Sequence, residues 1–180
     1  SMANYAADPT KGTKPDFEMT MPIIDSKGGT RTLTLSVLKT STPNEWIAEI
    51  RGKPGEIDAA TSPQGWIAQG KLKFNPDGSF DLANSTLFGA AGTRLSIGSS
   101  TDTTGPRWST ALGIEGQDLT FELSKGLRQN TATTQVNNVT TNGSATGNLQ
   151  NISVQQDGTI SAIFDNGAVV GLAKLAVATF

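Results

Sequence analysis

Apolar and polar residues alternate along much of this chain, and a period of two is the pattern of a β-strand that buries one face. The apolar positions of the first three predicted strands are Phe17, Met19, Met21 and Ile23, then Leu33, Leu35 and Val37, then Trp46, Ala48 and Ile50. Because Pro22 has no backbone N–H, we predict a sheet edge or a bulge at that position. Residues 25–29 (Asp-Ser-Lys-Gly-Gly) predict the turn between the first two strands.

The segment 71–83 predicts a β-hairpin in which the turn, the apolar face and the charges all favour one register. Its centre, Asn-Pro-Asp-Gly at 75–78, suits a type I turn, with proline at the second position and a glycine free to be left-handed at the fourth. A three-residue loop then follows from the turn chemistry. The predicted cross-strand pairs are Phe74 with Phe80, Leu72 with Leu82 and, on the other face, Lys73 with Asp81.

Two glycine turns organise the C-terminal part of the chain, one at Asp157 and Gly158 and one at Asn166 and Gly167. The apolar residues that flank the first turn are Ile152, Val154, Ile160, Ala162 and Phe164. A three-residue loop with a left-handed Gly158 puts all five on one face, whereas a two-residue turn splits them, because a shift of one residue reverses the pleat. We therefore predict the three-residue loop and the packing of that face. At Asn166 and Gly167 both registers remain open.

Two further strands are predicted around Leu95 and Ile97 and around Leu119, Phe121 and Leu123. The Ser/Thr-rich stretch 99–106 between them reads as a loop. Residues 124–129 are compatible with a single helical turn. Nowhere do apolar residues recur at a sustained spacing of three and four, so no long helix is predicted.

A composition shift suggests how the chain is divided. From 130 to 147 it is rich in Thr, Asn, Ser and Gly, which indicates either a crossing between two domains or a long surface loop. The predicted fold class is therefore all-β with antiparallel hairpins, in a sandwich-like or barrel-like middle domain at 16–129 and a linker plus smaller β segment at 130–180. Residues 1–15 are predicted to be a tag remnant and an extended lead-in, since Ser1 and Met2 resemble a cleavage scar.

Composition removes several classes of chemistry. The 180 residues include no Cys and no His, which excludes disulfides, thiol or His-based catalysis and ordinary zinc sites. The formal net charge is -2, which does not favour nucleic acid or an anionic membrane as partner. No apolar run is long enough to cross a bilayer, and no signal peptide is visible. We expect a soluble fragment of a longer protein.

The motifs that suggest catalysis or metal binding lack the context which that chemistry needs. Ser36 and Lys39 match a Ser-x-x-Lys pattern, but on a strand an odd spacing points them to opposite faces. The loops at 75–78 and 156–158 lack the alternating acidic ligands of a calcium site. Four carboxylates are scattered singly, so the fold would have to bring two of them together to make a catalytic pair: Asp58, Glu115, Asp118 and Glu122. No catalytic, cofactor-binding or metal-binding residue is therefore predicted, and no cofactor.

Two short segments carry basic residues. Residues 51–55 are Arg-Gly-Lys-Pro-Gly, and residues 107–108 are Arg-Trp. Such a segment can bind an anion or a sugar through its charge and an aromatic face. Exposed loop charge beside a Trp108 buried in the core is the simpler interpretation, and we predict that one.

Four blocks of the chain carry a resemblance to a known family. The first is 19–46, MTMPIIDSKGGTRTLTLSVLKTSTPNEW, and the second is 147–180, GNLQNISVQQDGTISAIFDNGAVVGLAKLAVATF. Residues 72–81 and 119–129 fit between them. In order and spacing the blocks resemble bacterial flagellar hook proteins over most of the chain. Rod proteins of the same axial family share the Asp-Gly-Thr-Ile block, so a rod-type protein is the alternative, and block 19–46 favours the hook.

The resemblance implies a structural protein and not an enzyme. Hook subunits leave the cell unfolded through flagellar type III export, without a cleaved signal peptide. Outside the cell they self-assemble into a helical tube, a flexible joint that transmits motor torque to the filament in bacterial motility. The implied partners are copies of the same protein, and then the hook cap, rod and hook–filament junction proteins. The terminal segments that form the family's inner coiled coil are absent, so the chain resembles the outer part of a subunit.

A different class of protein shares this composition, namely an extracellular β-sandwich that binds carbohydrate or acts as an adhesin. Such a module needs an aromatic platform on its surface. If Trp46, Trp66 and Trp108 are all buried, no such platform remains.

Overall fold

The computed structural model describes residues 1–89, 92–122, 127–129, 140–143, 145, 147–154 and 159–174. Within these residues nine β-strands form three antiparallel sheets, accompanied by one short α-helix and one 3-10 turn. The all-β fold class with antiparallel pairing is therefore confirmed.

The elements follow one another as α1 (Met2–Ala7), β1 (Phe17–Ile24), β2 (Thr30–Lys39), β3 (Glu45–Gly52), the 3-10 turn (Pro63–Gly65), β4 (Trp66–Lys73), β5 (Arg94–Ile97), β6 (Gln117–Thr120), β7 (Leu149–Val154), β8 (Thr159–Phe164) and β9 (Val169–Lys174).

The first sheet is an antiparallel meander in the order β1-β2-β3-β4. Its register places Met19 opposite Leu35, and Leu35 opposite Ile50. Leu33 and Ala48 lie on the same face and are completely buried. The predicted alternation thus brings one apolar row after another into a single core, and burial of each large aliphatic side chain contributes roughly 1.5–3 kcal/mol.

Pro22 lies in β1, which is the edge strand of this sheet. Its partner in β2 is Thr32, and the opposite side of β1 pairs with no strand among the described residues. An edge strand tolerates a residue without a backbone donor, which confirms the edge alternative of the prediction.

The second sheet pairs β5 with β6, and Leu95 lies opposite Leu119 as two predicted strands required. Leu123, predicted to continue the second of these strands, lies outside the described residues. One hydrophobic cluster includes side chains from the first sheet, the second sheet and the loops between them. Its buried members from the loops are Ile57, Leu87, Phe88, Trp108 and Ile114. A shared core is what a single middle domain at 16–129 needs, although its boundary stays a prediction.

The hairpin after β4 has the predicted loop. Asn75 N donates to Ser79 O at 2.8 Å, Gly78 N donates to Asn75 O at 2.8 Å, and Gly78 has a φ of 81°. Phe74 and Phe80 form an isolated bridge, with ring centroids 5.9 Å apart in an edge-on contact. The predicted pairing is therefore confirmed next to the turn.

Farther from that turn the predicted pairing of two leucines was wrong. Leu72 is buried while Leu82 is 41% exposed, so they do not form a pair. The strand ends at Asp81 because its carboxylate accepts hydrogen bonds from the backbone and side chain of Asn84, at 3.2 and 2.7 Å, which turns the chain away. The predicted register does hold at Lys73 and Asp81, because Asp81 N donates to Lys73 O at 2.9 Å. The side-chain pairing predicted there was wrong, since the Lys73 ammonium instead forms a 3.6 Å salt bridge with Glu45.

The third sheet has the order β7-β8-β9, and its first register is the predicted one. Ile152 lies opposite Ala162, and Val154 lies opposite Ile160. That pairing is the one a three-residue loop produces, although residues 155–158, including Gly158, lie outside the described residues.

The turn whose register remained open in the sequence has a three-residue loop as well. Phe164 N donates to Ala168 O at 2.9 Å, and Gly167 N donates to Phe164 O at 3.0 Å, with Gly167 at a φ of 83°. The turn after β1 repeats both hydrogen bonds between Asp25 and residues 28 and 29. The three described hairpin turns of this type thus end in a left-handed glycine, the conformation that glycine adopts without a steric penalty.

The extended lead-in predicted for residues 1–15 was wrong at its start, because Met2–Ala7 form a helix. Ser1 caps this helix, since its side chain accepts a hydrogen bond from Asn4 N at 3.2 Å. Met2 and Ala3 are buried, and Ala3 N donates to Glu49 Oε2 at 2.8 Å. Two buried side chains and a buried carboxylate therefore hold the helix against the sheet.

The predicted helical turn at 124–129 lies mostly outside the described residues. In the described part, Arg128 forms an isolated antiparallel bridge with Ser79, which is extended pairing. The predicted crossing at 130–147 is also largely outside the described residues.

We expect Gly78→Ala to destabilise the chain more than Gly105→Ala. Both glycines have a positive φ, and a left-handed alanine costs roughly 1–2 kcal/mol at either position. A Cβ at 78 would also lie 2.5 Å from Gln129 O, whereas a Cβ at 105 would meet nothing within 4 Å. The clash should add about 1–2 kcal/mol to the loss in the free energy of unfolding, measured with urea. Equal losses for the two variants would show that the loop does not pack against Gln129.

Candidate functional site

Ser36, the serine of the Ser-x-x-Lys pattern, is completely buried on β2. Its Oγ donates a 2.5 Å hydrogen bond to Glu18 Oε1, which also accepts from Arg51 NH2 at 3.0 Å. Lys39 is exposed at the end of the same strand, and its odd spacing from Ser36 places it on the opposite face. Ser36 therefore serves as a hydrogen-bond partner of Glu18, and the lysine that a nucleophilic serine would need points elsewhere.

An open groove of about 520 Å³ runs beside this cluster, lined by Phe17, Glu18, Met19, Thr20, Thr34 and Arg51. Burial raises the pKa of Glu18, but hydrogen bonds from Ser36 and Arg51 outweigh it and leave the pKa below its ordinary value. A general acid needs the opposite shift, toward the working pH. The charged groups that line the groove, Glu18 and Arg51, are therefore paired with each other, and Glu18 does not have the raised pKa of a general acid.

The calcium-like loop at 75–78 uses its carboxylate for the turn itself. Asp77 Oδ1 accepts hydrogen bonds from Ser79 N at 2.9 Å and from Ser79 Oγ at 2.6 Å. These bonds, the hydroxyl first, lower the pKa of Asp77. In the described part of the chain no three His, Cys, Asp or Glu side chains are grouped as a metal site would need.

Asp58, one of the four scattered carboxylates, forms a 3.0 Å salt bridge with Arg107 NH2. The backbone N–H of Ala60 and then the Arg107 guanidinium lower the pKa of Asp58. Its charge is thus stabilised within the loop.

Asp118 lies in a different pair, with Arg94, and also accepts a 2.5 Å hydrogen bond from Ser96 Oγ. Arg94 and then Ser96 lower the pKa of Asp118. Glu115 and Glu122 are exposed. Every described carboxyl group with a resolved shift has a lowered pKa, which favours permanent charge over proton transfer.

The basic segments differ from the prediction in their exposure. The side chains of Arg51 and Arg107 are only 17% and 13% exposed, because each lies in a salt bridge. The expectation of exposed charge was therefore wrong for the two arginines, but it holds for Lys53, which is exposed. Trp108, at 1% exposure, belongs to the core as predicted.

The three tryptophans do not form a platform. Trp46 is half-buried against the core, and its Nε1 donates to Gln129 Oε1 at 3.3 Å. Trp66 is also half-buried and lies opposite Arg51, five residues along β3 from Trp46. That spacing separates the two residues by roughly 16 Å at the rise of a strand, on opposite faces of the sheet. Of the three tryptophans, only Trp108 is fully buried. Because Trp46 and Trp66 are far apart on opposite faces, they do not form a flat aromatic surface for sugar binding.

A charged cluster that links the turn after β1, strand β2 and the loop after β3 was not found from the sequence. Arg31 donates to Asp25 Oδ2 through Nε at 2.8 Å and to Glu56 Oε1 through NH1 at 3.1 Å. Burial raises the pKa of Asp25, but the hydrogen bonds from Arg31, Gly29 N and Lys27 N outweigh it and hold the pKa below its ordinary range. The Asp at the first position of the Asp-Ser-Lys-Gly-Gly turn was the available signal, because such a carboxylate commonly accepts from its own turn.

The same turn region bonds to the segment that leads into β6. Gln117 Nε2 donates to Ile24 O at 2.6 Å, and Glu115 N donates to Ser26 Oγ at 2.9 Å. Lys27 Nζ donates to Leu112 O at 3.1 Å. These contacts connect the end of the first sheet to the second sheet.

Exposed apolar side chains concentrate in the third sheet. Of the six large hydrophobic side chains exposed among the described residues, five lie there: Leu149 at 55%, Ile152 at 53%, Val169 at 64%, Val170 at 48% and Leu172 at 57%. Ile152 and Val170 both pair with Ala162, so they share one face. The predicted packing of that face was therefore wrong at Ile152. Clustered exposed apolar residues mark a surface for interaction.

Comparisons with known proteins agree on one family. A family model described as the flagellar basal body protein FlaE D2 domain matches residues 1–159. The flagellar hook protein FlgE of Caulobacter vibrioides is 43% identical over 195 residues, which cover 100% of this chain and 33% of that protein. The chain thus spans about a third of the length of this curated relative.

A solved structure matches as well. The 32 kDa fragment of the flagellar hook protein FlgE from Caulobacter crescentus superposes with a TM-score of 0.74 at 40% identity, covering 79% of this chain and 51% of that fragment. Among the described residues, no helix has the length and apolar character needed to cross a membrane.

We expect Asp25→Asn to destabilise the chain by about 2–3 kcal/mol at neutral pH, because it leaves the Arg31 guanidinium without its buried anionic partner. A lowered pKa in the folded state contributes stability above the ordinary Asp pKa of about 3.9, and that contribution is lost as the pH falls through the folded-state value. The difference between wild type and variant in urea unfolding should therefore shrink as the pH falls below about 4.

The matched control is Asp118→Asn, which breaks an exposed Asp–Arg pair whose side chains are 49% and 56% exposed. It should change the free energy of unfolding little, since solvent screens such pairs. A loss for Asp25→Asn that stays constant down to acidic pH would contradict the role given to its charge.

Proposed function

This chain belongs to the flagellar hook protein family, and from that membership we propose that it is the outer part of a structural subunit of the bacterial flagellar hook. The subunit self-assembles into a helical tube, which acts as a flexible joint between motor and filament. The observation that carries the proposal is 43% identity to a hook protein along the full length of the chain. A rod-type axial protein is less favoured, because both named matches are hook proteins.

The carboxyl groups and tryptophans support a structural role over catalysis or sugar binding. The described Ser36 and Asp58 side chains are bound to Glu18 and Arg107, and the described pKa shifts favour fixed charge. Trp46 and Trp66 lie on different faces of the first sheet. We therefore propose no enzymatic activity and no cofactor for this part of the protein.

The proposed location is outside the cell, in the hook, after export in an unfolded state without a cleaved signal peptide. None of the 180 residues is a cysteine, so no disulfide would restrain the unfolded chain during export. The proposed partners are further copies of the same protein, and then the hook cap, the rod and the hook–filament junction proteins.

We propose two domains, a middle domain at 16–129 and a segment at 130–180 that belongs to an adjoining domain. The exposed face of the third sheet supports this division, because Ile152 and Val170 are left uncovered beside the buried Ala162. Apolar side chains that remain in water contribute little hydrophobic stabilisation, and a cluster of them marks a surface that another segment covers. The rest of the longer protein would supply the covering segments, since this chain spans a third of its curated relative.

The test introduces Ile152→Ser, Val170→Ser or the control Leu82→Ser into the full-length hook protein and counts hooks by electron microscopy. All three residues are between 41% and 53% exposed in this chain, so its melting temperature should barely change in any variant. In the full-length protein, Ile152→Ser and Val170→Ser should reduce hook assembly and Leu82→Ser should not.

Normal hooks from the Ile152 and Val170 variants would contradict the covered-face proposal. Equal defects in all three variants would also contradict it, because the effect would not be specific to the third sheet.

A further inference from the structure

The dipeptide Asn-Gly occurs twice in the chain, at 142–143 and at 166–167, and the structure places the two copies in different surroundings. In the second copy the Asn166 side chain is held at both ends. Its Nδ2 donates to Ala145 O at 2.6 Å, and its Oδ1 accepts from Ala168 N at 3.0 Å. The backbone N–H that follows, on Gly167, donates to Phe164 O at 3.0 Å in the hairpin turn. The amide group and its neighbouring nitrogen are thus both fixed.

In the first copy these restraints are missing. Asn142 is exposed, lies outside any helix or strand, and its side chain makes no hydrogen bond within the described residues. The backbone N–H of Gly143 donates only to Thr141 Oγ1, at a long 3.3 Å. The side chain can therefore rotate toward the following backbone nitrogen.

We propose that Asn142 is a site of spontaneous deamidation. Hydroxide removes the proton from Gly143 N, and this nitrogen attacks Cγ of Asn142 to form the N–Cγ bond of a five-membered succinimide. The Cγ–Nδ2 bond then breaks, and ammonia leaves after it takes a proton from water. Water next adds to one of the two succinimide carbonyl carbons and opens the ring. The products are Asp or isoaspartate at 142 together with ammonia, and no atom is oxidised or reduced.

The glycine of this dipeptide is required by the packing. A Cβ at 143 would lie 2.6 Å from Ile24 Cγ1, so the backbone at 143 approaches β1 as closely as only glycine allows. The residue that makes the nitrogen sterically accessible to Asn142 is therefore also needed by the fold. The reaction adds a negative charge, and isoaspartate also adds a methylene group to the main chain, in the segment that precedes β7.

The experiment incubates the folded chain in mildly alkaline buffer and follows both sites by peptide mass mapping. Isoaspartate is identified by labelling with an isoaspartyl methyltransferase. We expect the 142 site to convert about tenfold faster than the 166 site, or more, which corresponds to about 1.4 kcal/mol of barrier. Asn142→Gln, whose longer side chain cannot form a five-membered ring, should abolish the fast reaction and leave the slow one unchanged.

A parallel incubation in guanidinium chloride separates the fold from the local sequence. Unfolding should bring the two rates close together, since both sites contain the same dipeptide. Similar rates in the folded chain, or faster conversion at 166, would overturn the proposal. A tenfold ratio that persists in denaturant would overturn its structural basis, because the flanking residues alone would then account for it.

Discussion

The three-residue loop that ends in a left-handed glycine is the constraint on which the rest of this fold depends. It closes the hairpins at residues 26–28, 76–78 and 165–167 with the same two backbone hydrogen bonds. Each loop sets a register, and the register decides which face of a strand carries the apolar residues, because a shift of one residue reverses every side chain. The pairing of the buried Met21 with the buried Leu33 across β1 and β2 therefore follows from turn chemistry as much as from hydrophobicity.

Ion pairs connect separate segments of this protein. The buried Asp25 completes its own turn and holds Arg31, which also reaches Glu56, so one carboxylate contributes to the loop, the sheet and the neighbouring segment. The described carboxyl groups with resolved shifts have lowered pKa values, and none is poised to exchange a proton near neutral pH. Such fixed charges are compatible with the structural role proposed for this chain.

The sequence was sufficient to predict the features that neighbouring residues determine. The alternation from Met19 to Ile50 and the turn at 75–78 were sufficient for the strands and for the Phe74–Phe80 contact. The prediction that Leu72 pairs with Leu82 was wrong because the Asp81 carboxylate ends the strand. Its hydrogen bonds to Asn84 compete with the backbone hydrogen bonds of the strand pair, and the alternation of apolar and polar residues gives no sign of this. The Asp25–Arg31–Glu56 cluster was missed because Glu56, 25 residues from Arg31 in sequence, reaches it only in the tertiary fold. The exposure of Ile152 could not be predicted either, since it depends on what covers the third sheet.

We propose that β1–β6 form a self-sufficient unit, whereas β7–β9 need further segments of a full-length hook protein to cover their apolar face. Native-state hydrogen exchange tests it most directly, on this chain and on the full-length hook protein. In this chain, amides of β1–β4 should exchange only through global unfolding, and amides of β7–β9 should exchange through a separate opening of lower free energy. In the full-length protein the second group should gain protection. Equal protection of both groups in this chain, with no gain in the longer protein, would contradict the account.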